Sequence, residues 1–595
     1  MLETKELNCD LCVIGGGMSG LCAAISAARE GIKVVLMHER PVLGGNASSE
    51  IRMWICGASG KDNRETGILE EIALENLYRN PTKSYAIWDS VLFDFVKREE
   101  NITLLLNCTC MDAECEDGSF EYNRERKIKS VTGYQMTTQK FYKVNASFFC
   151  DSSGDSILAP LTNAEFMLGR ESKDCFNEDS TLTESDTMTM GMSCLIQGRE
   201  TNENISYIPP RFATKLTKKD FENRDPHLEY DSENFWYLEL GGNRDTISDT
   251  EELRDELLGL ATGTWDYIKN SGCFDADKWE LDFLGFLPGK RESRRMVGEY
   301  IITQKDISQG FVFDDEIAFG GWPLDDHFPG GFYHRGVPNT YFPTPAPYSI
   351  PYRALYSKNI ENLFFAGRNI SMTHLAMSSI RVMATCGLLG EAVGKASAIA
   401  VKEKTTPHGV YLKHISHLQE LLQNEDSFLP SRTRRISDIC KNAVLSGASD
   451  VIRNAQDRPH KIYNTTEGNG IERVKKDTPV TYILNKKEKI SSVHIVFSSD
   501  LNRETLPGSE CERIHSTRAN TKLSSPQMHL PHTLCKSFTL FGENNGEKEI
   551  LLDIENNLKR SYHLKLEKEY EKLTLIPHTN HANTDEIELI SFDFN

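Results

Sequence analysis

The sequence predicts an α/β fold in which a Rossmann-like domain is interleaved with an α+β domain and followed by a C-terminal β-sandwich. Three observations lead to this prediction. A strand, a glycine-rich turn, a helix and a second strand follow one another near the start of the chain. A strand and a long helix of small residues return at 362–400. From residue 451 onward, short β-runs alternate with polar loops, which is typical of a sandwich.

A chain of 595 residues is too long for one hydrophobic core, so we expect several domains. The Rossmann-like domain is predicted in two parts, at 1–165 and 351–405. A cap or substrate domain is expected between them at 166–350, where the sequence shows no clear periodicity. We expect a helical connector at 406–450 and the β-sandwich at 451–595.

Composition excludes some classes of protein. The 87 acidic and 67 basic residues give a net charge of -20, whereas nucleic-acid binding needs a basic surface. No apolar run approaches the ~18 residues of a membrane helix, and the first residues do not resemble a secretory signal. We therefore expect a cytoplasmic protein with no nucleic-acid or membrane partner. The fifteen cysteines are scattered, which favours reduced core thiols over metal ligands or disulfides.

The clearest motif is the stretch GGGMSG, which follows a strand at 9–14 and opens a helix at 18–30. It contains the GxGxxG pattern of dinucleotide-binding proteins, and each glycine has a mechanical reason. Gly15 permits a tight turn, Gly17 lets the backbone approach a pyrophosphate, and Gly20 lets the helix and the strand pack closely.

A bound pyrophosphate would lie at the positive end of this helix dipole, beside Met18 and Ser19. The second strand, at 33–38, ends at Glu39. A carboxylate at that position is placed to accept hydrogen bonds from the hydroxyls of an adenosine ribose. The unit as a whole therefore predicts dinucleotide binding.

A second glycine pair follows the acid in the stretch RPVLGGNASS. Its backbone amides would reach the pyrophosphate from the other side. The GxGxxG loop occurs once in the chain, so the sequence shows no second nucleotide domain of the reductase type. The candidate ligand residues in this stretch are Arg40, Gly44, Gly45, Asn46 and Ser48.

Five longer motifs carry a resemblance to a known family. They are GGGMSGLCAA, HERPVLGGNASS, FFCDSSGDSILAPLTNAEFMLGRES, KRESRRMVGEYIITQKDI and NLFFAGRNISMTHLAMSSIRVMATCGLLGEAVGKASAIA, and they span Leu11 to about Ala400. The sequence resembles FAD-dependent oxidoreductases of the glutathione-reductase-like structural class, in the family that also contains heterodisulfide-reductase-like flavoproteins. The resemblance implies FAD as cofactor and a small-molecule substrate.

The resemblance assigns roles to matching positions. Asp151, Gly154 and Asp155 would form the turn after a strand that passes under the nucleotide. Cys110 lies where backbone groups usually meet the adenine. Gly390 would let the final helix approach closely.

The resemblance also implies roles for residues that follow the last strand. The sequence departs from the family pattern at two points. Gly367, Arg368 and Asn369 would bring this strand to the flavin pyrophosphate and ribityl chain. Related fumarate-reductase-like enzymes carry a flavin-linking histidine just after the glycine pair, where this chain has Asn46 and Ala47, so noncovalent FAD is implied. Iron–sulfur members carry grouped cysteines that this sequence lacks, and no metal site is expected.

Candidate catalytic residues come from three segments, one of which is the arginine-rich stretch RESRR at 291–295. His374 and Arg381 follow the last strand, which the resemblance places beside the flavin ring. His327 and His334 lie in a glycine-rich loop that also contains Trp322. His374 is the favoured base, because an uncharged imidazole with a pKa near 6.5 suits proton transfer.

The leading interpretation is an oxidoreductase that acts on a small organic molecule, for example a carbohydrate-like hydroxylated compound, by hydride transfer to or from FAD. A second is a carbohydrate-binding protein with structural FAD, because VTYILNKKEKISSVHIVFSSDLNR loosely resembles galactose-binding-like sandwiches. A packing or dimerisation role for this tail is the simpler alternative. A third interpretation is the flavin subunit of an electron-transfer complex. A homodimer is compatible with the sequence, which does not specify the external electron acceptor.

Overall fold

The computed structural model describes residues 2–119, 124–179, 182–228, 233–459, 470–503 and 519–595. Within these residues three hydrophobic cores organise the chain. The largest surrounds the N-terminal sheet and draws residues from 11 to 428. A second core fills the cap region between 192 and 332. The third lies in the C-terminal sheet.

The first 151 residues form six strands and three helices. The strands are β1 (Thr4–Ile14), β2 (Val34–Met37), β3 (Ile102–Leu105), β4 (Cys108–Asp117), β5 (Arg126–Gln135) and β6 (Lys140–Asp151). The helices are α1 (Met18–Arg29), α2 (Ile68–Arg79) and α3 (Tyr85–Lys97). Strands β3, β2, β1 and β6 are parallel neighbours, and β6, β5 and β4 continue as an antiparallel meander. The predicted Rossmann-like unit is confirmed.

In the described residues of the cap region, between the two parts of this domain, the chain forms small sheets of two or three strands and four α-helices. The helices are α4 (Leu158–Thr162), α5 (Lys173–Phe176), α6 (Thr250–Asn270) and α7 (Gln304–Ser308). The strands are β7 (Phe166–Met167), β8 (Met192–Ser193), β9 (Ile196–Glu200), β10 (Glu239–Leu240), β11 (Trp279–Leu284), β12 (Gly289–Lys290), β13 (Arg295–Met296), β14 (Glu316–Gly320), β15 (Leu324–His327), β16 (Asn339–Phe342) and β17 (Tyr348–Pro351). Buried apolar residues of α6 pack against β9 and β11 and so give this region its own core.

The chain then returns to the first sheet through β18 (Leu363–Phe365), which pairs in parallel with β6. Three helices follow: α8 (His374–Ile380), α9 (Met383–Lys402) and α10 (Pro407–Asn424). Helix α9 packs along α1, because glycines at their contact remove the side chains that would hold the two backbones apart.

Helix α9 also corrects the expectation that no apolar run reaches membrane length. Among the described residues it is the one helix long and apolar enough to cross a membrane. Within that apolar window, 94% of the residues are buried inside the protein. Its apolar residues therefore pack in the core of the protein.

The C-terminal region is antiparallel and rich in β-structure, as predicted. Its elements are α11 (Asp438–Asn442), β19 (Val444–Ser446), β20 (Glu472–Lys475), β21 (Val480–Phe497), β22 (Cys535–Asn544), β23 (Glu547–Ile554), β24 (Ser561–Asn580) and β25 (Glu586–Phe594). The strands join in one sheet of order β20-β25-β21-β24-β22-β23, with β19 beside β21. Register shifts interrupt the long pair β21 and β24, and such shifts bend strands around a core. Strand β19 lies before residue 451, so the sheet takes in part of the predicted connector.

The contact between α1 and α9 yields a stability test. A Cβ added at Gly390 would lie 2.0 Å from the Ser19 carbonyl oxygen. We expect Gly390→Ala to push the helices apart at a cost of about 1–3 kcal/mol, measured as a lower melting temperature of the FAD-free protein. Gly387→Ala in the same helix is the control, because its Cβ would meet only the movable Leu69 side chain. Equal melting temperatures for the two variants would refute this account of the contact.

Candidate functional site

A cavity of about 690 Å³ lies between the Rossmann-like domain and the cap region. One end is lined by the two glycine loops and the turns after β6 and β18. The other end is lined by aromatic and charged side chains of the cap. The segment 51–57, just after the second glycine pair, connects the two ends. The cavity therefore has two kinds of lining, the glycine loops of the Rossmann-like domain and the side chains of the cap.

The first glycine loop forms a surface of backbone at the nucleotide end. Gly15 has φ +102°, and a Cβ there would lie 2.3 Å from the Ser152 carbonyl oxygen. Gly17 is the N-cap residue of α1 and has no side chain that could bond the first-turn N–H groups. A Cβ at Gly17 would find its nearest neighbour, Gly45 Cα, at 3.8 Å, so this space is open. The free N–H groups and the helix dipole suit a pyrophosphate here.

The second glycine pair packs directly on the first loop. The Gly44 N–H donates to the Gly16 carbonyl oxygen at 2.8 Å, and Gly17 and Gly44 form an isolated parallel bridge. The cradle therefore has backbone on two sides, as the sequence predicted. Asn46 lines the cavity and fixes the cap to this loop by donating from Nδ2 to the Lys290 carbonyl oxygen at 3.0 Å.

Glu39 lies at the far end of the nucleotide compartment. Its side chain is 44% exposed and lines the cavity beside Arg40, whose Nε lies 3.4 Å from the Glu39 carboxylate. Desolvation raises the pKa of Glu39, but His38 and Arg40 outweigh it and lower this pKa to about 2, so at neutral pH the carboxylate is charged and accepts hydrogen bonds only. This geometry is the one expected of an acid that binds ribose hydroxyls.

Several buried polar atoms at the nucleotide end of the cavity favour the binding of a ligand there. Within the described part of the chain, Ser19 Oγ, Arg40 Nη1 and Arg368 Nε have no hydrogen-bond partner. All three residues line the cavity. Buried polar groups in proteins are nearly always satisfied. A phosphate-rich nucleotide supplies the acceptors that the two guanidinium groups and the hydroxyl lack, so the residues present fit FAD.

Asp151, Asp155 and Asn369 do not line the cavity, but Asp155 bonds two residues that do. Asp155 accepts from Lys290 Nζ at 2.8 Å and from Arg368 Nη2 at 2.7 Å. Burial opposes the charge of Asp155, but these two cations outweigh it and lower its pKa. Asp151 accepts from the Leu158 N–H at 2.8 Å and so shapes the turn after β6. These acids position the cofactor-facing side chains.

Of the other predicted cofactor residues, Gly154 and Gly367 line the cavity, as do Met18 and Gly45. Gly20 and Gly390 do not, since each lies at a backbone contact. Ser48 is fully buried outside the lining, with its backbone N–H bonded to Gly45. Cys110 also lies outside it, buried in β4.

The cap end of the cavity combines aromatic rings with charge. Trp236, Trp322 and Tyr341 line it, and Trp322 meets Tyr341 edge to face at 6.5 Å between centroids. Arg291 and Asn339 add polar groups to the same wall. Aromatic faces with hydrogen-bonding groups between them suit a flat or ring-shaped polar molecule.

His327 is the candidate catalytic histidine that lines the cavity. Its Nδ1 lies 2.6 Å from Glu239 Oε2, and its Nε2 lies 3.5 Å from Asp325 Oδ1. Arg291 Nη1, 3.4 Å from the Glu239 carboxylate, holds that acid in its charged form. Burial raises the pKa of Glu239, but Arg291 and His327 outweigh burial and lower it. Glu239 thereby fixes the ring orientation of His327.

Arg381 lines the cavity next to His327 and is fixed by Asp325. Its Nη2 donates to Asp325 Oδ2 at 3.1 Å and to the Asp325 carbonyl oxygen at 3.0 Å. Asp325 also accepts from Trp322 Nε1 at 3.3 Å and from Asn339 Nδ2. One carboxylate therefore holds three cavity-lining side chains in place.

The structure contradicts the prediction of an uncharged His374. This ring is 3% exposed and does not line the cavity. Its Nδ1 lies 2.9 Å from Glu292 Oε2, and its Nε2 lies 3.1 Å from Asp326 Oδ1. Burial disfavours the charged ring, but the two carboxylates outweigh it and raise the pKa of His374 to about 10. At neutral pH this imidazole is protonated, and each of its ring nitrogens bonds a carboxylate, so it cannot act as the base.

His334 is also absent from the cavity lining. Its ring stacks on Phe328 with centroids 4.1 Å apart. The structure thus separates the histidines that the sequence grouped, and leaves His327 as the one in contact with the cavity.

Sequence reasoning missed several lining residues, including Cys56, Asn339 and Tyr341. The segment with Trp54 and Cys56 follows the second glycine pair, and that proximity was the available signal. Burial raises the pKa of Cys56 to about 12, so its thiol stays protonated. Among the described residues, no group of three or more His, Cys, Asp or Glu side chains is arranged to hold a metal ion.

Comparison with known protein families gives a match over most of the chain. A family model described as FAD dependent oxidoreductase matches residues 10–422. No curated protein sequence matches the chain significantly.

Three solved structures show weak likeness. A geranylgeranyl bacteriochlorophyll reductase-like protein of Thermoplasma acidophilum has 12% identity and TM-score 0.31, covering 70% of this chain and 84% of its own. The p-nitrophenol 4-monooxygenase of Pseudomonas putida has 11% identity and TM-score 0.29, covering 72% and 91%. A family 32 carbohydrate-binding module from Streptococcus pneumoniae has 12% identity and TM-score 0.17, covering 27% and 99%. At these scores, the family model alone carries the assignment.

The open space at Gly17 allows folding and cofactor binding to be separated. We expect Gly17→Ala to keep the melting temperature of the FAD-free protein, because its φ of -67° suits alanine and no protein atom lies within 3.8 Å of the new methyl group. The methyl group would stand where the pyrophosphate approaches, so FAD should bind at least about tenfold more weakly, or about 1.4 kcal/mol. The measurement is FAD titration of the apoprotein. An unchanged dissociation constant would show that the pyrophosphate lies elsewhere.

His374 should be required for stability. His374→Gln removes the cation that Glu292 and Asp326 share. Glu292 keeps Arg295, and the Asp326 side chain is 25% exposed, so we expect a cost of about 1–3 kcal/mol and a lower melting temperature. The charged ring contributes its full stabilisation of the folded state below a pH of about 6.5, the ordinary pKa of histidine. It is lost as the pH rises through about 10. The variant and parent should therefore converge in melting temperature at alkaline pH.

His417→Gln, at an exposed position of α10, is the control and should match the parent. A His374→Gln protein that melts with the parent at neutral pH would show that the ring is not held as an imidazolium.

Proposed function

Because this chain belongs to the FAD dependent oxidoreductase family, we propose that it transfers hydride between a small hydroxylated organic substrate and noncovalently bound FAD. The observation that carries this proposal is that one cavity has both linings: its backbone-lined end suits the nucleotide, and its other end is lined by rings and charges. A carbohydrate-like ring compound fits that second lining best.

The residues that would hold FAD are those of the nucleotide end. The N-terminus of α1, Gly44 and Gly45 would take the pyrophosphate, and Glu39 would take the adenosine ribose. Arg368 and Ser19 would satisfy their free polar atoms on the cofactor. When bound, FAD supplies a ring system that accepts or gives up a hydride.

The substrate would lie among the cap residues. Aromatic side chains such as Trp236 and Trp322 bury the apolar face of a ring, and Asn339 and Arg291 offer hydrogen bonds to its substituents. Apolar walls with a few placed polar groups also exclude water from the reacting atoms.

Oxidation of a carbinol releases a proton from its hydroxyl, and reduction of a carbonyl takes one up. We assign this proton to His327 Nε2. Glu239, at 2.6 Å from Nδ1, orients the ring and stabilises its positive charge. The Asp325 carboxylate, at 3.5 Å from Nε2, is beyond a good hydrogen bond and leaves that nitrogen to the substrate oxygen. Arg381 lies beside this position and would orient the oxygen.

The test of this function is an anaerobic screen of the yellow holoprotein. Hexoses, polyols and their oxidised derivatives are added singly, and the visible flavin absorbance is followed. We expect bleaching, or reoxidation of the reduced protein, with members of this chemical class. Reaction only with compounds that lack hydroxyl and carbonyl groups would contradict the proposal.

His327→Gln tests the proton assignment. Glutamine keeps a polar side chain but cannot carry the proton, so flavin reduction by a compound active in the screen should slow by about a hundred- to ten-thousand-fold. FAD content and melting temperature should change little by comparison. His334→Gln is the matched control, because His334 stands in the same loop outside the cavity lining. Parent rates in His327→Gln would exclude its proton role.

A further inference from the structure

A short segment of the C-terminal region, residues 519–523, lies against the cap. The Thr521 N–H donates to the Gly198 carbonyl oxygen at 2.9 Å, and the Glu200 N–H donates to the Thr521 carbonyl oxygen at 2.8 Å. The segment thereby adds a parallel bridge to the edge of β9, at Arg199. A strand edge of the cap is thus completed by the C-terminal region.

Asn520 joins three separate segments of the cap. Its side chain is fully buried. Oδ1 accepts from the Gly198 N–H at 2.9 Å, and Nδ2 donates to the His227 carbonyl oxygen at 3.0 Å. Its backbone N–H donates to the Glu233 carbonyl oxygen at 3.1 Å. These bonds fix the position of Glu233 relative to β9.

Two of the three segments that Asn520 joins reach the cap end of the cavity. Glu233 and Trp236 line it, and so does Leu195, the residue before β9. The Trp236 carbonyl oxygen accepts from Ser193 Oγ at 2.7 Å and from Arg291 Nη2 at 3.0 Å. The backbone from Glu233 to Trp236 is therefore held by Asn520 at one end and by cavity-lining residues at the other.

A second contact places the C-terminal region beside another lining segment. Asn502 bonds Asp62 twice: Oδ1 accepts from the Asp62 N–H at 2.7 Å, and Nδ2 donates to Asp62 Oδ1 at 2.6 Å. Arg458 donates to the carbonyl oxygens of Asp62 and Arg64 at 3.0 and 2.8 Å. This loop directly follows the cavity segment 51–57. The C-terminal region therefore supports the site from two sides.

We propose that the C-terminal β-domain completes the substrate compartment, with Asn520 as the positioning residue that sets Glu233 and Trp236 for a hydroxylated ring substrate. The proposal rests on the proposed function for the identity of that substrate. It gives the C-terminal domain a role in the oxidoreductase site itself. Asn520 acts on the substrate through the cavity wall formed by Glu233 and Trp236. Its contacts do not include the residues at the FAD end of the cavity.

The experiment compares holoprotein carrying Asn520→Ala or the milder Asn520→Ser with an Asn556→Ala control. Asn556 belongs to the same domain and faces the Tyr78 hydroxyl at 3.4 Å, not the cap. Amide hydrogen exchange is read by mass spectrometry in peptides covering 195–200 and 233–238. In parallel, flavin reduction is measured against concentration for a sugar or polyol active in the anaerobic screen, and FAD content is determined.

For both Asn520 variants we expect exchange in the two peptides to rise about tenfold, as the loss of hydrogen bonds from buried groups implies. KM should rise by about the same factor while kcat changes much less, with FAD content at the parent level. Asn556→Ala should match the parent in every measurement.

Two results would overturn the proposal. One is parent-level exchange in both peptides together with a parent KM. The other is a uniform loss of FAD, kcat and melting temperature with no separate effect on KM, which would show a purely structural role. If no compound bleaches the flavin, the proposed function fails by itself, and the exchange result alone then decides whether Asn520 positions the wall.

Discussion

Close packing of backbone on backbone at the glycine loops is the constraint on which the rest of the structure depends. A Cβ at Gly20 would lie 1.8 Å from the Gly15 carbonyl oxygen, and one at Gly390 2.0 Å from that of Ser19. These contacts set the first strand, α1 and α9 at distances that side chains would prevent. The start of α1 is thereby left bare, with its N–H groups and dipole facing the cavity. An anionic cofactor is the ligand such a surface binds.

Around this floor, the cap is held by buried charges that are almost all paired. Arg295 contacts Glu292 and lies 2.5 Å from Glu171, and His374 joins Glu292 to Asp326. Buried ions are costly unless every partner is present, so such a network fixes one arrangement of its chain segments. The same logic distinguishes the two histidines. His374 bonds a carboxylate at each ring nitrogen and lies outside the cavity lining, whereas His327, with Glu239 at 2.6 Å and Asp325 at 3.5 Å, lines the cavity.

Elements formed by neighbouring residues could be predicted from the sequence. Contacts between residues that are far apart in the sequence could not. The unit from β1 to Glu39 was predicted correctly, because strand, turn and helix are encoded by neighbouring residues. His374 was misassigned because its partners Glu292 and Asp326 are distant in sequence, and only the folded chain shows that they enclose it. Asn339 and Tyr341 were missed as site residues for the same reason. The support that Asn520 gives to Glu233 joins residues almost three hundred positions apart, and no local pattern announces it.

The central claim is that one cavity holds the flavin nucleotide on the glycine loops and presents the cap residues to the substrate. An experimental structure of the holoprotein tests it most directly. We predict density for the FAD pyrophosphate at the N-terminus of α1, between Gly17 and Gly45, and for the flavin ring at the end of the cavity that His327 and Trp236 line. A pyrophosphate bound away from α1, or a flavin ring outside this cavity, would contradict the account.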